Sequence, residues 1–521
     1  MVHDAHTFRR RWLVPVVAMS LAAFGIFWGL YATDYLATAG AESGELGPVR
    51  HYLSFDPASI TDAVSALGGM MAAVLGIVIT VVSIIVQLAA GRYAGVTRRF
   101  VRDRVNLGIL AYYVIVCVFA IWVSMAIGHG FVPNATLLTL MVATSLGLSL
   151  MAPYFGYVFW FLEPQNIIAR IRRGAESAAL GGARLSDAAA AERAQIEVVA
   201  SVEELTDIVS SSISNKDKVI ASNAVDALRD FALLYLRDKP KASPGWFAIG
   251  PGIAKNPDLV AMDPESLTDL ERQRTWLEWK VMRQYLGIYN EALASMRDIN
   301  YLVAINTRYV GEAALLAADL DLLSLTFRYM NSYLRSTLNA RDVRTAYNVL
   351  NQYRLLVEAT IRGGSREQAL AGVSHLSYYG HVSFDGKLPF VTETIAYDMS
   401  ALCQVAHEAR SPDEPAMLSK LLELDRPLRA SSQESALLGI RKAQVKLAAY
   451  YLAAGETERA RRIADDMKHE PPARLKSVRE ALEGVVTKDF WEISDRGRNF
   501  EYMADAQRAT LGTFFSWLGL P

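Results

Sequence analysis

Cysteine is almost missing from this chain: Cys117 stands inside an apolar run and Cys403 in a charged region. Two thiols are too few for a cysteine-built zinc site of the usual spacing. With Cys117 placed in lipid and Cys403 in cytoplasm, no disulfide is expected. Net charge is missing too. Lys and Arg number 53 against 54 Asp and Glu, which removes any global electrostatic case for nucleic acid. Catalytic signatures are absent as well: there is no Gly-x4-Gly-Lys-[Ser/Thr], no His-Glu-x-x-His and no Gly-x-Ser-x-Gly. Gly250 and Gly252 stand among prolines rather than between a strand and a helix, so they are not read as a phosphate loop. His375, Tyr378, Tyr379 and His381 crowd one stretch, but ordinary core or surface histidines are expected there rather than ligands. His51 and His129 are read in the same way, although both fall in loops on the outside. No enzyme, metal or cofactor is therefore expected.

What the chain has instead is uncharged length. Residues 68–90 carry no charge, and Thr80, Ser83 and Gln87 are their only clearly polar side chains. At about 1.5 Å per residue such a helix crosses the roughly 30 Å hydrocarbon layer. Five arginines follow at once, Arg92, Arg98, Arg99, Arg102 and Arg104, against the single acid Asp103. Arginine in a short loop marks the cytoplasmic side. Three further uncharged runs cover 13–31, 107–128 and 135–162. Arg9 to Arg11 precede the first and Arg170, Arg172 and Arg173 follow the last, while 32–66 holds five acids and one arginine. Four spans with both termini inside satisfy every loop. A cleaved signal peptide competes for the first run, since Ala37-Thr38-Ala39 resembles a cleavage site. Pro153 in the fourth run predicts a kink unless neighbours satisfy the freed carbonyl.

Within the second span, Gly69, Ala73, Gly76, Thr80, Ser83 and Gln87 recur at steps of four and three, which places them on one helix face. Tight helix packing is one reading, because small residues let membrane helices approach. The other is a pore face in an oligomer, with Gln87 and the arginines as its cytoplasmic mouth. For the arginines, contact with anionic headgroups is the plainer reading.

Beyond residue 162 the chain turns charged and helix-rich. Residues 163–262 read as juxtamembrane helices and linker. Small residues fill 174–194, as either a linker or a weakly packed helix. Ser201-x-x-Glu204 has the spacing of a capping box that would start a helix, and the Pro/Gly-rich stretch 240–257 marks a loop boundary. Asp263-Pro264 then caps a new helix. No proline interrupts the chain from there to Pro389, so helices in tandem are expected, broken near Gly311, at 339–342 and at Gly363-Gly364. Leu447, Ala448, Tyr451, Gly455, Ala460, Ala464 and Pro472 fit the spacing of a tetratricopeptide unit. Residues 263–521 are thus read as a cytoplasmic helical domain, with hairpins over 263–486. The apolar end, 511–521, packs back on the array or touches the membrane face. The fold class expected is all-α: a four-helix transmembrane domain (1–162) followed by a tetratricopeptide-like hairpin array.

The run 79–119 resembles an uncharacterised bacterial membrane family, a domain of unknown function. The likeness rests on Gln87-Leu88-Ala89, Arg98 to Phe100 and Arg102-Asp103-Arg104, and it continues through 167–171 and 203–228. That family has a Pro-Gly-Ile-Asn-Asp-Pro-like turn where this chain reads Ile-Ser-Asn-Lys-Asp at 213–217. The resemblance implies a multi-pass bacterial membrane protein and brings no known activity. Two roles remain open in the bacterial inner membrane. One is a homo-oligomeric ion pore or transport protein regulated by its cytoplasmic domain. The other is a non-conducting anchor whose repeats bind a protein partner.

Overall fold

A computed structural model describes residues 14–38, 52, 57–90, 96–127, 132–428, 433–489, 496–497 and 499–520. Their only regular elements are helices, without a strand, and they divide into two compact units, 1–167 and 168–521.

The first unit is built from α1 (Val14–Thr38), α2 (Pro57–Ala90), a short α3 (Val96–Val101), α4 (Arg104–Ala126) and α5 (Asn134–Leu162). By length and composition α2, α4 and α5 can each cross a membrane. They pack against one another, and α1 lies on α5, where Ser20 and Ser149 share a hydroxyl bond of 2.6 Å. Small residues set how closely these helices approach. A Cβ on Gly147 would stand 2.6 Å from Met71 Cε, and one on Gly68 would stand 3.2 Å from Ala120 Cβ. The backbone groups of α5 are reached by tyrosines of α4: Tyr112 donates to Ala143 O at 2.6 Å and Tyr113 to Gly147 O at 2.9 Å. Pro153 lies inside α5, which continues through it to Leu162.

The second unit takes in α6 (Pro164–Gly182) from residue 168 on, then α7 (Ala188–Ser214) and α8 (Lys218–Asp238). The stretch 174–194 is thus helix on both sides of a short turn. Ser201 starts nothing: it is buried in the middle of α7, whose cap is Asp187, accepting from Ala190 N at 3.1 Å. The alanine run 188–191 is the better helix former and carries the helix upstream. The stretch 240–257 is packed down, because Trp246 is wholly buried. Its carbonyl accepts from Gln195 Nε2 (2.7 Å) and Trp276 Nε1 (3.0 Å), while its own indole donates to Tyr235.

Asp263 caps α9 (Pro264–Arg272) through Ser266 N at 2.9 Å. Then come α10 (Trp276–Ser295), α11 (Arg297–Leu316), α12 (Leu320–Asn339), α13 (Val343–Arg362), α14 (Arg366–Asp385), α15 (Pro389–Glu408), α16 (Glu414–Leu422), α17 (Glu434–Ala453), α18 (Thr457–Met467), α19 (Pro472–Gly484) and α20 (Leu511–Trp517). From α10 to α15 each helix has 20 residues. Each packs on the next helix and on the next but one, which builds two rows: α10, α12, α14 and α16 in one, α11, α13, α15 and α17 in the other. The hairpin turns repeat as well. Ala318, Arg341, Gly364, Lys387 and Arg410 all have positive φ and each stands 23 residues after the last. A helix pair therefore spans twice that length, against the about 34 residues of a tetratricopeptide pair. Leu447, Ala448, Tyr451, Ala460 and Ala464 are buried in the α17–α18 hairpin, and Gly455 turns it at φ 83°. The local spacing makes a hairpin, but the array around it keeps a longer period.

The break expected near Gly311 is not there. Gly311 sits within α11, where a Cβ would stand 2.8 Å from Leu356 Cδ1, so the glycine admits a neighbouring helix. The breaks at 339–342 and 363–364 are present. The chain end returns to the array, with Leu511, Phe514 and Phe515 buried and α20 against α17 and α18.

Candidate functional site

On α2 the valines and the small residues take opposite sides. Val64, Met71, Val74, Val78, Val82 and Val86 are buried against the unit's own helices. Gly69, Ala73, Gly76, Thr80, Ser83 and Gln87 are all exposed. Both sets follow the 3.6-residue period about half a turn apart. The valine face fills the packing inside the unit, and the stripe points away from it. A Cβ added at Gly69 or Gly76 would meet nothing within 4 Å. Thr80 returns its hydroxyl to Gly76 O at 2.8 Å, which lowers the cost of facing an apolar medium. The result is a shallow, open and mildly polar strip along one side of the membrane unit.

The basic stretch lies beyond the end of α2. Arg92 falls outside the described residues. Arg98 and Arg99 belong to α3, while Arg102 and Arg104, flanking the start of α4, are exposed. The acid among them has a structural task the sequence did not reveal. Asp103 caps α4, accepting from Val105 N at 3.0 Å and Asn106 N at 3.2 Å, and also accepts from Tyr157 at 2.7 Å. Tyr154 donates to Asn106 Oδ1, whose amide donates to Phe100 O at 3.3 Å. Phe100 in turn meets Phe161 edge-on at 5.3 Å. Asp103, Asn106, Tyr154 and Tyr157 thus lock α3, α4 and α5 together at one end of the unit. An aspartate directly before an apolar helix was the available signal for its capping role.

The histidine-tyrosine stretch does not converge. His375 meets Tyr353 (3.2 Å), Tyr379 donates to Asn331 O (2.7 Å), Arg335 donates to Tyr378, and His381 meets Glu423 O (2.7 Å). Burial holds the His375 imidazole below its usual range. Among the described residues no three His, Cys, Asp or Glu side chains group so as to hold a metal ion. Cys117 and Cys403 are both free, and Cys403 is fully buried, with its thiol pushed up by that burial. His51 and His129 lie outside the described residues.

No curated protein and no solved structure matches the chain. Residues 9–219, which contain all of α1 to α7 and the Asp103 lock, match the model of a family described as a predicted membrane protein, DUF2254.

Proposed function

We propose that the chain is a non-enzymatic, integral inner-membrane protein with both termini in the cytoplasm, whose subunits associate along α2. In this reading α1 is a fourth, retained span. The stripe Gly69, Ala73, Gly76, Thr80, Ser83 and Gln87 lines a path for ions or small solutes that the helical array regulates. The observation that carries it is the outward, unfilled direction of the stripe. A lipid-facing helix gains nothing from glycine and serine, whereas a facing copy of α2 gains close approach. Arg92, Arg98, Arg99, Arg102 and Arg104 then stand at the cytoplasmic mouth or against anionic headgroups. Purified protein in liposomes tests it. Solute release is expected, and Gly76→Leu, which fills the strip, should abolish it. A correctly folded oligomer that releases nothing overturns the path.

A non-conducting anchor whose array docks a protein partner is the second reading. One observation favours it: the row α13, α15, α17 seats a turn of the chain through Arg496 and Phe500.

A further inference from the structure

A cleft of about 370 Å³ opens between α10, α12 and the turn at residues 258–262. From α10 it takes Trp279 and Arg283, one helical turn apart; from α12 it takes Leu325, Arg328, Tyr329 and Ser332, which share one face. At its wall Tyr329 is buried. The Tyr329 hydroxyl donates to Trp279 O at 3.4 Å, a long contact for such a bond. Burial raises this hydroxyl, and the charges of Arg283 and Arg328 both act against that rise. Two guanidiniums from two helices therefore converge on one buried hydroxyl.

The acid of the cleft is already committed. Asp258 accepts from Lys280 at 2.5 Å, from Gln284 at 2.6 Å and from Arg283 Nε at 3.3 Å. That last contact fixes Arg283 by one nitrogen, and a guanidinium carries five N–H donors. Arg328 pairs with no acid among the described residues. Lys280, Arg283 and Arg328 thus stand against Glu203 and Asp258, which leaves one positive charge unmatched in the group. A lone surface arginine needs nothing beyond water. Here a second arginine is held opposite by Asp258, beside an indole and a buried hydroxyl with a weak partner.

We infer that this cleft binds a soluble small molecule that carries a carboxylate or phosphate on a flat apolar body. Guanidinium forks match the geometry of both oxyanions. Arg283 and Arg328 donate to the oxyanion, the Tyr329 hydroxyl turns to it from Trp279 O, and Trp279 with Leu325 takes the body. The volume falls at the small end of ligand sites, which run from about 300 to 1,000 Å³. Such a site belongs to the array alone and stands whether or not the membrane unit conducts.

The test uses the full chain in an uncharged, phosphate-free detergent. Equilibrium dialysis reads 2-naphthoate and 1-naphthyl phosphate, with protein-free micelles as the blank. Saturable binding of one probe per chain is expected, with the uncharged 2-naphthamide about tenfold weaker or more. Arg328→Gln, at an exposed position, should weaken the anions by a similar factor, and Arg328→Lys should restore part of it. Arg335→Gln, on the same helix but outside the cleft, should change nothing. Trp279→Leu should weaken both probes; should it fail to fold by circular dichroism, Ser332→Trp fills the cleft from a half-buried position and should block them. A folded chain that takes up neither anion, or binds them equally after Arg328→Gln, overturns the site. Equal uptake of the amide overturns the oxyanion, and inorganic phosphate binding as tightly overturns the flat body. Displacement by dihexanoylphosphatidylglycerol but not by inorganic phosphate overturns the soluble ligand and makes a lipid headgroup the occupant.

Discussion

Lys280 Nζ lies 2.5 Å from Asp258 Oδ2, and the lysine side chain has no exposed surface. Glu203 closes from the other side at 2.6 Å and the Asn256 side chain accepts at 3.0 Å, so α7, α10 and the turn after residue 256 meet on one ammonium. Removing it leaves two carboxylates facing each other in a poorly solvated site. Lys280→Met is expected to cost about 3 kcal/mol, the low end for a broken buried pair, because Glu203 and Asp258 keep some exposure. Lys280→Met with Asp258→Asn should recover part of the loss. Thermal melts of the full chain in detergent read both.

Acid should act on this unit in two opposite senses. Burial pushes Asp258 up, but hydrogen bonding and charge from Lys280 and Arg283 outweigh it and hold the carboxyl below its usual range. A carboxyl depressed in the folded state contributes stability that is present above its ordinary value, about 3.9, and lost as pH falls through the folded one. Glu278 runs the other way. Burial raises it despite Lys239 at 2.7 Å. Its folded form takes up a proton first, so stability rises as pH falls through the raised value towards the ordinary range. Melting temperature against pH should show that shallow rise before the acid fall. Glu278→Gln should erase the rise, and Asp258→Asn should flatten the fall. A profile unchanged by either substitution refutes the assignment.

The hairpin turns offer a stabilising change. Ala318 sits at φ 53°, between Leu315, whose carbonyl it bonds at 3.1 Å, and Asp319, which bonds Ala314 O at 2.9 Å and caps α12. A left-handed Cβ costs about 1–2 kcal/mol, while glycine returns about 0.5–1 kcal/mol in backbone entropy. Ala318→Gly should therefore raise the melting temperature modestly and Ala318→Val should lower it. Equal melts for the two would contradict the turn geometry.

The same turns explain what the sequence could and could not disclose. The spans were legible because lipid demands long uncharged runs, and α2, α4 and α5 fall on three of the four marked out. Of the array's repeating turns, those at 339–342 and Gly363-Gly364 were legible too, whereas those at Ala318, Lys387 and Arg410 were not, because Ala, Lys and Arg stand there at left-handed positions where glycine is the usual sign. Gly311 misled for the converse reason: its missing side chain makes room for Leu356 rather than for a turn. Ser201 and Glu204 had a cap's spacing, but nothing local told that α7 was already under way. On α2 the 3.6-residue period disclosed a face. Its direction was not legible, since valine and glycine are equally at ease beside a membrane helix, and only the neighbours α4 and α5 decide between them.

That direction gives the sharpest test of a water-lined path. Thr80 and Ser83 are exposed on the strip, Val82 is buried against the unit's own helices, and Ile79 is half exposed off the strip. Place one cysteine at each position in turn, with Cys117 and Cys403 changed to alanine. Water-soluble reagents attack the thiolate, which forms poorly in lipid or in a dry helix contact. A conducting assembly should leave Thr80→Cys and Ser83→Cys reactive, with Ile79→Cys shielded by lipid and Val82→Cys by packing. Closely packed subunits without a path should shield all four, while Thr80→Cys and Ser83→Cys still form disulfides between copies under oxidation. Monomers in lipid would show neither reaction nor cross-link. Cross-linking without reactivity would therefore keep self-association through α2 and remove conduction, and the absence of both would remove the assembly as well.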